Sequence, residues 1–224
     1  MRLNDDLNVR AVVHARNLDW IPSPTKGVDR RMLFRIGEEK ARATSIVRYA
    51  PDSHFPRHTH TGGEEFLVLD GVFQDESGDF PEGSYVRNPP GTGHAPGSDG
   101  GCVIFVKLWQ FRAEDEARTV RRPGEGEPAA LRPGVAASTV LFDDGHERVM
   151  LEDWRPGAEV GIANPRGLEL LVLSGSFSDG TGTFERWSWL RLPAGTDLAA
   201  VTGAEGARVW YKSAPLLLEG VVLF

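Results

Sequence analysis

Cysteine is almost missing from this chain: Cys102 stands alone among 224 residues. One thiol excludes an internal disulfide and any thiolate zinc cluster, and its place in the apolar run Cys102-Val103-Ile104-Phe105-Val106 reads as a small core residue. No apolar stretch reaches membrane-spanning length, and Met1-Arg2-Leu3-Asn4-Asp5-Asp6 lacks the apolar centre of a signal peptide. The expectation is a cytoplasmic protein without a membrane partner. Basic residues are outnumbered, 25 Lys and Arg against 32 Asp and Glu, for a formal net charge of -7. Nucleic acid is therefore not an expected partner, and Arg121-Arg122 is too short a run to neutralise a phosphate backbone. Helical signals are scarce as well. The longest candidate, around Ala113 to Arg118, is polar and unstriped, and it passes into the Pro- and Gly-rich stretch Arg121 to Pro128, which reads as a linker.

Turn chemistry, by contrast, is plentiful. The chain has 26 Gly and 15 Pro, and they separate apolar runs such as Phe66 to Leu69, Val103 to Val106 and Leu170 to Leu173 that are strand-length rather than helix-length. An all-β antiparallel sandwich or barrel follows. Into this background are set three histidines and a glutamate: His58-Thr59-His60, then Glu64, and later His94. In a strand, residues i and i+2 share a face, so His58 and His60 can aim into one cavity while Thr59 faces away. Gly62-Gly63 bends the chain to bring in Glu64, and Pro89-Pro90-Gly91 marks the turn that delivers His94. Imidazole and carboxylate donors of this kind hold a divalent transition metal. His14 and His146 have no partners at ligand spacing. His54, four residues before the pair, reads as a loop histidine.

The second half of the chain repeats the first. Glu65 to Phe73 lines up with Glu169 to Phe177, and the step from Gly71 to Gly175 is an offset of 104. At the same offset Pro89 and Gly91 fall on Pro193 and Gly195, whereas His58, His60, Glu64 and His94 fall on Ile162, Asn164, Leu168 and Leu198. Turn and core positions survive while four donors vanish together. Two like lobes are expected, one holding metal and one filled by side chains. The same comparison separates two adjacent carboxylates: Glu65 persists as Glu169, so its role is structural or solvent-facing, and Glu64 is the expected ligand. Arg57, Lys107 and Trp109 are not assigned to the pocket, since a strand Trp is usually core and a flanking Arg usually solvated.

The run His58 to Gly71 reads H-x-H-x3-E-x6-G and Gly83 to His94 reads G-x5-P-x-G-x2-H; together they resemble the two motifs of the cupin superfamily, with Ser98 where the second motif ends in Asn. Trp20 to Val28 and His58 to Glu65, within roughly residues 15 to 112, resemble more specifically the cupin domain of ChrR-type anti-sigma factors. The resemblance implies two tandem jelly-roll (double-stranded β-helix) barrels: a metal-binding lobe over 1–112, a linker over 113–130 and a metal-free lobe over 131–224. It implies one divalent metal per chain, with zinc expected and iron, nickel or manganese as alternatives, and a homodimer through paired sheet edges.

Two functions follow from the resemblance. One is a zinc-binding regulator of oxidative-stress transcription that senses a small molecule or hydroperoxide and acts on an extracytoplasmic-function sigma factor. Cys102 alone cannot supply the Cys-x-x-Cys pair of the helical zinc domain that grips the sigma factor in such proteins, so capture of a sigma factor by this chain alone is not expected. The other is a mononuclear non-haem dioxygenase or related metal-dependent oxidoreductase. Its catalytic residues are not assigned from sequence. A third reading is a module that binds a sugar or small acid and uses the metal only as a clamp.

Overall fold

The computed structural model describes residues 1–38 and 40–216; the end of the second expected lobe, 217–224, lies outside the described residues. As the composition predicts, the chain is built from antiparallel strands. Among the described residues, helix is limited to one 3-10 turn at Ala15–Asn17, and no helix is long and apolar enough to cross a membrane.

The chain forms two compact units. The first comprises Met1–Asp5 and Asp19–Glu125. Its main sheet runs Arg2–Leu3, Val28–Gly37, Ala41–Tyr49, Cys102–Leu108, Glu64–Asp75, Tyr85–Asn88 and Thr119–Arg121 in spatial order, and a separate small ribbon pairs His58–Thr59 with Gly93–His94. The second unit comprises Asp6–Leu18 and residues 126–216. Its sheet runs Glu127–Pro128, Val135–Asp143, Arg148–Trp154, Leu198–Ser213, Leu168–Ser178, Ser188–Leu192 and Ala11–His14. Two boundaries therefore differ from the sequence reading. Ala11–His14 pairs with Ser188–Leu192 and belongs to the second unit. The expected linker carries strands, Thr119–Arg121 against Tyr85–Asn88 and Glu127–Pro128 against Val135–Asp143.

The candidate helix at Ala113 to Arg118 does not form. Asp115 is buried and committed elsewhere: its carboxylate accepts from the Arg87 guanidinium at 2.9 Å and from the Ala117 amide at 3.0 Å. Side-chain capture of a nearby backbone N–H makes a turn in place of a helical ladder.

Each unit has its own apolar core, around Phe66, Val68, Phe73, Phe80 and Ile104 in the first and around Trp154, Leu170, Val172, Phe177 and Val209 in the second. In the first, both faces of the Glu64–Asp75 strand are buried along its opening half, which is why the sequence there reads as a continuous apolar run. Glu65 is on the face away from the cavity, fully buried, and accepts from the Tyr85 hydroxyl at 2.6 Å. The repeat reproduces that contact as Glu169 accepting from the Trp189 indole at 2.8 Å. The conserved spacing of Gly71 and Gly175 has a steric cause: both have positive φ, 70° and 68°, and a Cβ at either would sit within 2.3 Å of the carbonyl oxygen of Gly101 or Gly206.

Candidate metal centre

His58 and His94 face each other as directly paired residues of the two-stranded ribbon. His60 follows on the same face, with its amide donating to the Thr92 carbonyl at 2.7 Å while its own carbonyl accepts from Gly91 at 3.0 Å. This is where the Pro89-Pro90-Gly91 turn acts: it locks the His94 arm onto the His58 arm. The three rings stand edge to face with centroids 4.6 to 5.2 Å apart, and one nitrogen of each lies within 4.8 Å of the others.

Glu64 enters at the head of the long strand. Its Oε2 lies 3.4 Å from His60 Nε2 and 3.5 Å from His94 Nε2. The preceding bend is built by two glycines that cannot be replaced in place: a Cβ on Gly62 would fall 2.1 Å from the Trp109 ring, and one on Gly63 2.4 Å from Phe111. The three histidines thus converge as one donor group, with Glu64 beside His60 and His94; His60, His94 and Glu64 are buried and His58 is exposed toward solvent.

The donor set fits a divalent cation on a local observation. Both ring nitrogens of His60 are buried and have no hydrogen-bond partner, and an unsatisfied interior imidazole costs free energy that a coordinated cation removes. Burial is the main influence on His60 and holds its pKa below the ordinary histidine value against the opposing pull of Glu64, with His94 and His58 adding to the depression. The neutral, ligating form is favoured.

Asp75 was not singled out by sequence. Burial would raise its carboxyl pKa, but the hydrogen bond with His94 and those with Ser77 outweigh it, and the group is held below the usual carboxylate range. Its Oδ2 sits 3.3 Å from His94 Nδ1. An ionised carboxylate there keeps the proton on Nδ1 and turns Nε2 toward Glu64 and His60. The only sequence signal was retention of the position as Asp179, which points to turn formation: Ser77 N–H donates to Asp75 and Thr181 N–H to Asp179.

His58, His60 and Glu64 open onto a cavity of about 310 Å³ whose wall includes Val28, Arg30, Val47, Tyr49, Ile104 and Trp109. Trp109, left unassigned by the sequence reading, is part of this wall and has a left-handed backbone, φ 58°. Lys107 is buried away from it, donating to Gln110 at 2.9 Å, and Arg57 is exposed and paired with Glu76. Tyr49 is half-buried; burial first, then the negative charge of Glu64, raises its pKa and keeps the phenol neutral. His54 pairs with Asp99 on the surface. Burial pushes the Cys102 thiol up to about 11, in keeping with an inert core residue.

The ligand-equivalent positions of the second unit retain the register without the chemistry. Ile162 faces Leu198 as His58 faces His94, and Leu168 faces Leu192 as Glu64 faces Asn88. Asn164 replaces His60 and is satisfied by protein alone: its amide donates to the carbonyls of Pro193 at 2.8 Å and Thr196 at 3.0 Å, and its Oδ1 accepts from Gly167 at 2.7 Å.

Comparison with known proteins agrees with this geometry. Residues 8–112 match the ChrR Cupin-like domain family, while no curated protein sequence matches the chain. Among solved structures, the chain is similar to a candidate glyoxylate-induced protein from Pseudomonas aeruginosa (TM-score 0.73, 15% identity, covering 100% of this chain and 95% of that one). It is also similar to a candidate dioxygenase from Nostoc punctiforme (0.69, 16%, 97% and 87%) and to a bacterial pirin from Escherichia coli in complex with nickel(II) (0.64, 13%, 93% and 100%). At these identities the likeness is one of fold. Motif, register and family match therefore agree that residues 8–112 of this chain are a ChrR-like cupin domain.

Proposed function

We propose that His58, His60, Glu64 and His94 hold one divalent transition metal and that the protein is a metal-dependent oxidoreductase of the cupin dioxygenase type, acting on a small organic molecule. The observation that carries this reading is the open cavity of about 310 Å³ in contact with His58, His60 and Glu64. A structural metal site is closed by its four protein ligands, whereas a catalytic one keeps positions accessible to water or substrate. Similarity to a candidate dioxygenase and to a nickel-bound pirin supports the same direction. A bound redox-active metal would supply activation of dioxygen. The chain's own contributions are a buried neutral imidazole at His60, an Asp75 carboxylate that orients His94, and apolar side chains, Val28, Val47 and Ile104 among them, along one part of the cavity wall.

The second reading, a zinc-holding sensor related to anti-sigma factors, is favoured by the family match over residues 8–112. Elemental analysis of protein purified without added metal, together with oxygen uptake by iron-loaded protein across small diketones, thiols and phenols, separates the two. Sustained turnover that disappears in His94→Ala supports the oxidoreductase. Zinc as the resident metal with no uptake on any substrate overturns it in favour of the sensor.

A further inference from the structure

We propose that Arg30 makes the cavity beside the metal centre a carboxylate site, so that the small molecule it takes is an organic acid with an apolar body. This deepens the oxidoreductase reading and rests on it for the metal alone. Arg30 is paired in the sheet with Val47 on one side and Ile21 on the other, and it lines the same cavity as His58, His60 and Glu64. Its Nε is buried without an acceptor, and the guanidinium has no hydrogen-bond or ion-pair partner among the described residues. Arg31 and Arg42 also bury Nε without an acceptor, but Arg31 lies over the Trp20 ring at 4.3 Å and neither lines the cavity; Arg48 is committed to Asp29 at 2.6 Å and Arg87 to Asp115 at 2.9 Å. A half-buried guanidinium without a protein anion is poised for an external one, and its planar fork matches a carboxylate in particular.

Charge and shape agree. With a divalent ion held at the site, the ion and Arg30 would outweigh the single negative charge of Glu64, so an anion is favoured there. Val28, Val47, Ile104, Val106, Leu108 and Trp109 supply an apolar wall. The volume, about 310 Å³, is that of roughly ten waters, which suits a small acid.

Calorimetric titration of the metal-loaded protein with benzoate, phenylacetate and 3-phenylpropionate, each against its uncharged amide, tests the assignment. At least one acid should bind, its amide at least about tenfold more weakly, and Arg30→Gln should weaken the acid about tenfold or more without changing metal content or amide binding. Arg30→Lys, which keeps the charge and loses the fork, should fall between. Equal binding of acid and amide, unchanged acid affinity in Arg30→Gln, or no binding of any acid overturns the proposal. If Arg30→Gln does not fold, the acid-to-amide ratio in the wild-type protein and the Arg30→Lys titration decide. Metal content measured on the same samples keeps the two readings apart: one metal per chain with Arg30-independent binding sinks the carboxylate site alone, and Arg30-dependent binding without metal sinks the oxidoreductase alone.

Discussion

The two lobes carry the same strand register and opposite chemistry at its centre. In one, His58 faces His94 and Glu64 faces Asn88; in the other, Ile162 faces Leu198 and Leu168 faces Leu192. The second lobe fills the space with side chains that join its core cluster, each such burial stabilising by about 1.5–3 kcal/mol. The first lobe instead buries His60 without a hydrogen-bond partner, 3.4 Å from the Glu64 carboxylate, and leaves the stabilisation to a cation. A metal site can be retired within a fixed backbone, provided that each lost coordinate bond is replaced by apolar contact or, at Asn164, by hydrogen bonds to backbone carbonyls.

The largest expected difference between the lobes is in metal retention. His60→Ala should lower affinity by about a thousandfold, roughly 4 kcal/mol, and take the metal content from near one per chain to none. Glu64→Ala should weaken retention, whereas Glu65→Ala should leave the metal bound. Elemental analysis after dialysis checks all three; two tightly held metals per wild-type chain would break the comparison.

Asn164→Ala should be the mirror image: metal unchanged and stability reduced by about 3 kcal/mol, because the carbonyls of Pro193 and Thr196 and the amide of Gly167 lose a buried partner. The urea midpoint measures it. A loss of metal on this substitution would mean that the lobes are not independent in the way the register suggests.

Asp75→Asn sharpens the comparison on the metal side. The amide can keep the turn bond from Ser77 while removing the charge that fixes the His94 tautomer, so affinity should fall 10- to 100-fold with little change in melting temperature. A competition titration with a chelator gives the number, and an unchanged affinity would reduce Asp75 to a turn residue.

The smallest effect concerns Asp179, the same position in the second lobe, which binds Arg10 at 2.5 Å instead of a histidine. Burial would raise its pKa, but hydrogen bonds from Thr181 and Arg10 outweigh this and the net shift is downward. A carboxyl depressed in the folded state contributes stability that is present above its unfolded value, about 3.9, and is lost as pH falls through the lower folded value. Arg10→Gln should therefore reduce the stability change over that acid range, by under about 1 kcal/mol, as read from urea midpoints at successive pH values.

Much of this architecture was legible along the chain because strand geometry is local. A period of two puts His58 and His60 on one face, glycines with positive φ fix the turns, and an offset of 104 carries every such position into the second lobe. The same repeat set Glu65 apart from Glu64: Glu65 is kept as Glu169, and each accepts a hydrogen bond from a buried aromatic side chain, whereas Glu64 falls on Leu168. The stretch was read as a linker because Pro and Gly dominate its end, yet strand Thr119–Arg121 found an open edge at Tyr85–Asn88, and an edge is created only by folding. Asp75 and Arg30 likewise had no signature of their own. Whether a carboxylate orients a histidine, or an arginine is left without an anion inside a cavity, depends on which side chains long-range pairing brings within about 4 Å, and sequence spacing does not set those distances. The residues themselves determined which donors and turns exist, and the tertiary structure decided which charges meet.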